Sequence, residues 1–230
     1  MRSATLPQKA SWTKSESQIG TLSKEGTVQL FGGWPPRWIK PYWMLQELGA
    51  EFVPIPATEQ TQATNENTPR NLYWTVPVLI DGDIVLQEAS HIMNYLGQKY
   101  PASRLIPTPG TLAKKRYEQW LSYITDDFER PLTIIDRTRQ LRAHANQSES
   151  KTTQAREDFK TMAAILDNSI PDFLLGSHFS AADIAMTHAL QRAKAIGLLS
   201  GFKNLESYRA RHAARPSFPM HLYGCIRQTG

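Results

Sequence analysis

The chain contains a single cysteine, Cys225, in 230 residues. An internal disulfide and a redox CxxC pair are therefore excluded, and this usage fits a reducing compartment such as the cytoplasm. No apolar run approaches the ~20 residues of a membrane span, and the first residues lack the apolar centre, about 7–15 residues long, of a secretory signal. The six histidines, at positions 91, 144, 178, 188, 212 and 221, have no metal-binding spacing, so no metal site is expected. Charge of one sign is not concentrated either. The net charge is +5, and the basic residues from Arg192 to Arg227 are interleaved with apolar ones, which gives no basis for a nucleic-acid-binding face.

What the chain does have is ample apolar content, 40% of its residues, enough to bury a core in one large domain or two small ones. Residues 1–26 stand apart. Ser3, Ser11, Ser15, Ser17 and Ser23 lie among scattered lysines, and the segment is expected to be a flexible extension. Glu16, Glu25 and poor helical amphipathicity give little support to a transit peptide.

Beyond it, Thr27 to Phe31 has the pattern of a strand, Ile39 to Leu48 that of a helix stopped by Gly49, and Glu51 to Ile55 that of a second strand. Ala57 to Thr68 is polar and helix-tolerant until Pro69. The richest stretch is Val76-Pro77-Val78-Leu79-Ile80-Asp81-Gly82-Asp83-Ile84-Val85-Leu86-Gln87-Glu88-Ala89-Ser90. Two short β-branched runs flank Asp81-Gly82, a pair suited to a tight hairpin, and Ala89, Ile92, Met93, Leu96 and Tyr100 then recur at helical spacing. The amides opening that helix form an anion site in waiting. Pro101 to Gly110 is proline-rich and aperiodic, as a linker is. Tyr117, Trp120, Leu121, Ile124 and Phe128 mark one long helix, and Thr153 to Leu166 another. Ser180 and Asp183 have the spacing of a capping box. The expected division is an extension over 1–26, a mixed α and β domain over 27–101, a linker over 102–111 and an all-helical domain over 112–224.

The VPVLIDGDIVLQEAS segment resembles the second half of the thioredoxin-like domain of the glutathione S-transferase superfamily. There the pattern is VPVL, a DG turn, then L-x-E-S opening a helix. Gly176-Ser177-His178-Phe179-Ser180-Ala181-Ala182-Asp183 is similar to the motif G-D-x-[FY]-[ST]-x-A-D of that family's helical domain, and Tyr208 to Phe218, with Arg215-Pro216, resembles its closing helix. The resemblance spans roughly residues 27 to 222, and Asp127 with Phe128-Glu129-Arg130-Pro131-Leu132 resembles a bacterial E-x-x-x-P-L pattern. It implies an N-terminal thioredoxin-like domain, in the order βαβ then ββα, followed by an all-helical domain, in a homodimer with glutathione as co-substrate. It further implies a cis proline at Pro77, pairing of the Val76 backbone with the cysteinyl part of glutathione, and capture of the γ-glutamyl carboxylate by Glu88 and the residue after it. By the same resemblance Asp127 reaches the γ-glutamyl amine.

The departures are as informative. Ala89 replaces the serine whose hydroxyl holds the carboxylate, a loss of about 1.5–3 kcal/mol, or roughly tenfold to a hundredfold in affinity. Family members activate the thiol with a Tyr, Ser or Cys just after the first strand. Here the loop is Gly32-Gly33-Trp34-Pro35-Pro36-Arg37-Trp38-Ile39-Lys40-Pro41, with Gly32 or Gly33 at the tyrosine-like position and Pro35 or Pro36 at the serine-like one. Arg37 is the candidate for stabilising a thiolate, helped by the first helix's amides. Pro41 argues for a late helix start, near Lys40, which lets Trp34 or Trp38 project into the cleft. Trp34, Trp38, Tyr73, Trp74 and Tyr123 are candidates for the wall of a hydrophobic co-substrate cleft. Two function classes stay open. One is glutathione-dependent conjugation or related thiol chemistry on an apolar electrophile, as in detoxification. The other is a non-catalytic relative that binds a hydrophobic ligand or acts as an interaction module.

Overall fold

A computed structural model describes residues 27–33, 36–57, 76–140 and 145–229. The extension over 1–26, Trp34, Pro35, Tyr73, Trp74 and the rest of the stretch from Thr58 to Thr75 lie outside the described residues. Four strands, β1 (Val28–Gly32), β2 (Phe52–Pro56), β3 (Val78–Asp81) and β4 (Ile84–Gln87), form one sheet in the order β2-β1-β3-β4. β1 and β2 run parallel, joined through helix α1 (Ile39–Glu47). β3 lies antiparallel to both β1 and β4. Helix α2 (Ala89–Lys99) follows β4 directly. This is the expected thioredoxin-like arrangement. The hairpin turns on Gly82 at φ +59°, and Asp81 accepts hydrogen bonds from the Tyr95 hydroxyl at 2.6 Å and from Lys99, which brace the turn against α2.

The remainder is helical: α3 (Leu112–Tyr123), α4 (Arg130–Gln140), α5 (Ala145–Asp167), α6 (Ala181–Ala195), α7 (Lys203–Ala213) and a closing 3₁₀ segment (Met220–Thr229). The single helix expected around Tyr117 to Phe128 is not uniform. Between α3 and α4 the chain widens into a π-helical segment, Ile124–Glu129. Such local widening inserts an extra residue per turn and re-aims the side chains that follow. Helix α6 is buried along almost its whole length and forms the centre of the helical layer. Its start is held by Asp183, whose carboxylate accepts from the Ser180 N–H at 2.8 Å, the Leu174 N–H at 2.8 Å and the Tyr208 hydroxyl at 2.6 Å. The capping box is thus a buried hub joining three segments.

α1 starts late, next to Lys40, as Pro41 predicts. A 3₁₀ turn, Pro36–Trp38, leads into a helix that starts at Ile39. Pro41 is then its third residue, where a backbone N–H has no partner inside the helix and its absence costs nothing.

α1 is fastened to the helical layer at both ends. In its first turn the Lys40 ammonium donates to both Glu129 oxygens, at 2.8 and 2.7 Å. In its last turn the Glu47 carboxylate accepts from Arg215 Nε and Nη2, each at 2.7 Å, and from the Ser217 hydroxyl. Between them the fully buried Trp43 packs its ring against Phe179 and Phe218, with centroids 5.7 and 4.9 Å apart.

Candidate functional site

The strand registers converge at one end of the sheet. Phe31 faces Val78 across β1 and β3, and Val78 faces Gln87 across β3 and β4. The recorded pairings end there, with Gly32 next after Phe31 on β1, Pro77 just before Val78 on β3 and Glu88 just after Gln87 on β4. Gly32 is also paired with Pro56 of β2. This is the carboxyl end of the two parallel strands, where ligands bind in open sheets with parallel strands. The Val76–Pro77 peptide bond is cis, as the resemblance implied.

Glu88 is the most unusual residue here. It is exposed, sits at φ +66°, ψ +121°, and precedes α2 without capping it through its side chain. A non-glycine residue held there costs on the order of 1–3 kcal/mol, and such conformations cluster at functional sites. The first amide in the helical ladder is that of Ile92, which donates to the Glu88 carbonyl at 2.9 Å. The amides of Ala89, Ser90 and His91 therefore open the helix without intrahelical acceptors, a geometry that accepts a carboxylate. Ala89 itself is 4% exposed, so its methyl group faces the protein and offers no polar atom.

In the helical layer, Tyr123 ends α3 and Asp127 lies in the π-helical segment, both partly buried. They are brought together: partial burial, followed by the charge of Asp127, raises the Tyr123 phenol above its ordinary pKa. Tyr123 also packs edge-on against Trp120 and Phe128.

Arg37 lies in the 3₁₀ turn, partly buried. Its charge reaches the buried His188 on α6. Burial, then Lys40, Arg192 and Arg37, hold that imidazole well below its usual pKa and hence neutral. No carboxylate among the described residues pairs with Arg37. Trp38, expected to project into the cleft, instead lies in the core at 5% exposure, edge-to-face with Tyr42 at 5.5 Å. The cause is Gly32: a Cβ there would fall 2.2 Å from Trp38 Cδ2, so the indole occupies the volume that a larger residue would fill.

The feature that sequence reasoning missed is the buried polar cluster between α1 and the helical layer. Glu129 is locked to Lys40, His188 Nε2 lies 4.0 Å from Glu129 Oε1, His188 Nδ1 is 2.9 Å from the Tyr223 hydroxyl, and Arg192 donates to Asp136 at 2.7 Å. Its only signal in the sequence is the presence of ionisable residues at apolar-facing positions of helices. Among the described residues no group of three or more His, Cys, Asp or Glu is placed to hold a metal ion, and no helix is long and apolar enough to cross a membrane.

Comparison with known proteins agrees with this architecture. A family model described as Glutathione S-transferase, N-terminal domain, matches residues 39–104, and another described as Glutathione S-transferase, C-terminal domain, matches 143–211. A probable maleylacetoacetate isomerase of Vibrio cholerae is 27% identical over 152 residues, covering 62% of this chain and 68% of that one. A stringent starvation protein A homolog of Pasteurella multocida is 30% identical over 156 residues, covering 66% and 69% respectively. Among solved structures, a beta class glutathione S-transferase of Sphingomonas chungbukensis superposes with a TM-score of 0.71 at 25% identity, over 85% of this chain and 98% of that one. The chain belongs to the glutathione S-transferase superfamily.

Proposed function

We propose that this protein binds glutathione and uses it in conjugation or related thiol chemistry on an apolar electrophile. The observation that carries this reading is the cis Val76–Pro77 bond leading into β3 together with the strained, exposed Glu88 beside an uncapped helix start. That arrangement fits a γ-glutamyl carboxylate on the α2 amides and an extended peptide along Val76. Glu88 and Asp127 supply negative charge for the amine. Glutathione, when bound, supplies the sulfur nucleophile.

At the thiol end no hydroxyl or thiol is present among the described loop residues, Gly33 and Pro36 to Trp38. Arg37 takes the role there by electrostatics: a guanidinium beside the sulfur favours the thiolate and lowers the thiol pKa from that of a free thiol. It needs no proton acceptor of its own, because water accepts the released proton. Tyr123 lines the neighbouring apolar wall. The similarity to a probable maleylacetoacetate isomerase supports an enzyme acting on a small molecule, and assembly as a homodimer follows the family's habit. A second reading, a non-catalytic binder of a hydrophobic ligand, is favoured by Trp38 filling the space at Gly32.

Calorimetric titration with glutathione and with S-hexylglutathione separates these readings when combined with turnover of an aryl halide. Binding of both thiol compounds with turnover supports the enzyme. Binding of S-hexylglutathione without turnover supports the binder, and binding of neither removes glutathione from the account.

A further inference from the structure

The Lys40–Glu129 pair is nearly inaccessible, with each side chain 5% exposed, and it joins residues 89 apart in sequence. Removing two ions from water costs several kcal/mol each, and well-packed apolar residues of similar volume hold two surfaces together as well or better. Stability alone therefore does not account for charges at this junction. What the pair adds is a fixed direction: a two-pronged contact sets both the distance and the rotation of the turns that carry it.

Those turns carry the two charged candidates of the cleft. Arg37 lies three residues before Lys40, one 3₁₀ turn away and on the same face, and Asp127 lies two residues before Glu129 in the π-helical segment. The surroundings keep the pair exclusive. His188 is held neutral, first by burial and then by the cations around it, so it does not compete with Lys40 for Glu129, and Arg192 donates through Nη2 to Asp136 rather than to Glu129. We infer that Lys40 and Glu129 are positioning residues, which hold the Arg37 turn in register with the Asp127 segment so that thiolate and γ-glutamyl amine are engaged at once.

This inference rests on the glutathione reading, and the experiment separates the two. The double variant K40M/E129M replaces the pair with apolar volume and leaves no buried charge alone, so it tests positioning without removing the junction. Wild type and variant are compared by thermal melting, glutathione titration, the kcat and KM for an aryl halide, and the ultraviolet titration of the bound thiolate. The expected result is a melting temperature at or above that of wild type, glutathione affinity within about threefold, kcat lower by about tenfold and a bound thiol pKa higher by about one unit. An unchanged kcat and thiol titration in the double variant overturns the positioning role while leaving the glutathione reading intact. Failure of the wild type to bind glutathione overturns both. Should the double variant not fold, K40M/E129Q, which likewise leaves no buried charge alone, carries the same readouts and the same overturning result.

Discussion

The indole of Trp38 stands where a side chain on Gly32 would stand: a Cβ at position 32 would lie 2.2, 2.4 and 2.6 Å from three of its ring carbons. The last residue of β1 and the turn after it are therefore a matched pair, and the family's usual activating side chain cannot be restored at position 32 by one substitution. Gly32→Ala is expected to lower stability by about 1–3 kcal/mol through overpacking. Trp38→Ala alone costs about 3–5 kcal/mol. The double variant is expected to cost less than the two together, because the clash disappears with the ring. Urea denaturation of the three variants checks this, and additive losses would mean that the contact is relieved in some other way.

Glu88 offers the opposite trade. Glycine adopts φ +66° without penalty, so Glu88→Gly is expected to raise stability by up to about 1 kcal/mol. The same change removes the carboxylate from the candidate ligand site and should weaken glutathione binding about tenfold or more. Melting curves paired with glutathione titration read both effects on one sample. An E88G variant that is less stable than wild type would show that the conformation carries no strain.

Arg37→Ala is expected to leave the melting temperature within about 2 °C of wild type, since the side chain has no ion-pair partner among the described residues. It should raise the pKa of bound glutathione's thiol and lower turnover about tenfold. Equal thiol titrations in the two proteins would remove Arg37 from the chemistry.

Asp183→Ala should behave as a folding lesion. It strips acceptors from the Ser180 and Leu174 amides and from the buried Tyr208 hydroxyl, which together cost at least about 3 kcal/mol. The fraction that remains folded is expected to bind glutathione normally. A variant that melts like wild type but loses its ligand would contradict this.

Acid should destabilise the protein early. The ordinary histidine pKa is 6.5, and in the folded state burial, then Lys40, Arg192 and Arg37, hold His188 well below it. Below about pH 6.5 the unfolded chain therefore binds a proton that the native state refuses, and stability falls by up to about 1.4 kcal/mol per pH unit for this one group. Glu129 at 4.0 Å and the Tyr223 hydroxyl complete its surroundings. Burial lowers His212 in the same direction. Glu47 acts in a lower window: burial pulls its pKa up, but Arg215 and Ser217 outweigh that and hold it below 4.5, so its contribution is lost only at more acidic pH. Melting temperatures between pH 7 and pH 5 should fall in wild type and fall less steeply in His188→Gln. A flat wild-type profile would count against a neutral His188.

Local features are legible in the sequence and distant pairings are not. Asp81-Gly82 sets a turn by its own backbone preference, and Ser180 with Asp183 sets a helix start within four residues, so both are readable. The burial of Trp38 is not, because its environment depends on a missing Cβ six residues earlier, and an absence leaves no periodic mark. Pro41 is readable too, because a proline fits only the first turn of a helix and so fixes the start of α1 close to Lys40. The apolar spacing of Tyr117, Leu121, Ile124 and Phe128 suits either a plain helix or one widened near its end, so the segment that presents Asp127 and Glu129 cannot be separated by pattern from a regular helix. Lys40 and Glu129 each resemble an ordinary solvated charge until the fold brings their helices together.

The double fastening of α1 divides labour along one nine-residue helix. With its first turn gripped by Glu129 and its last by Arg215, the helix carries the burden of holding the two halves of the chain in alignment. Within the turn that precedes it, Pro36 and Trp38 are buried while Arg37 is only partly so, and that middle position is the one freed from structural duty. Substitutions at that position can exchange one way of handling a sulfur atom for another while the frame around it stays still, which is how a chain without the customary hydroxyl can keep the shape of its relatives.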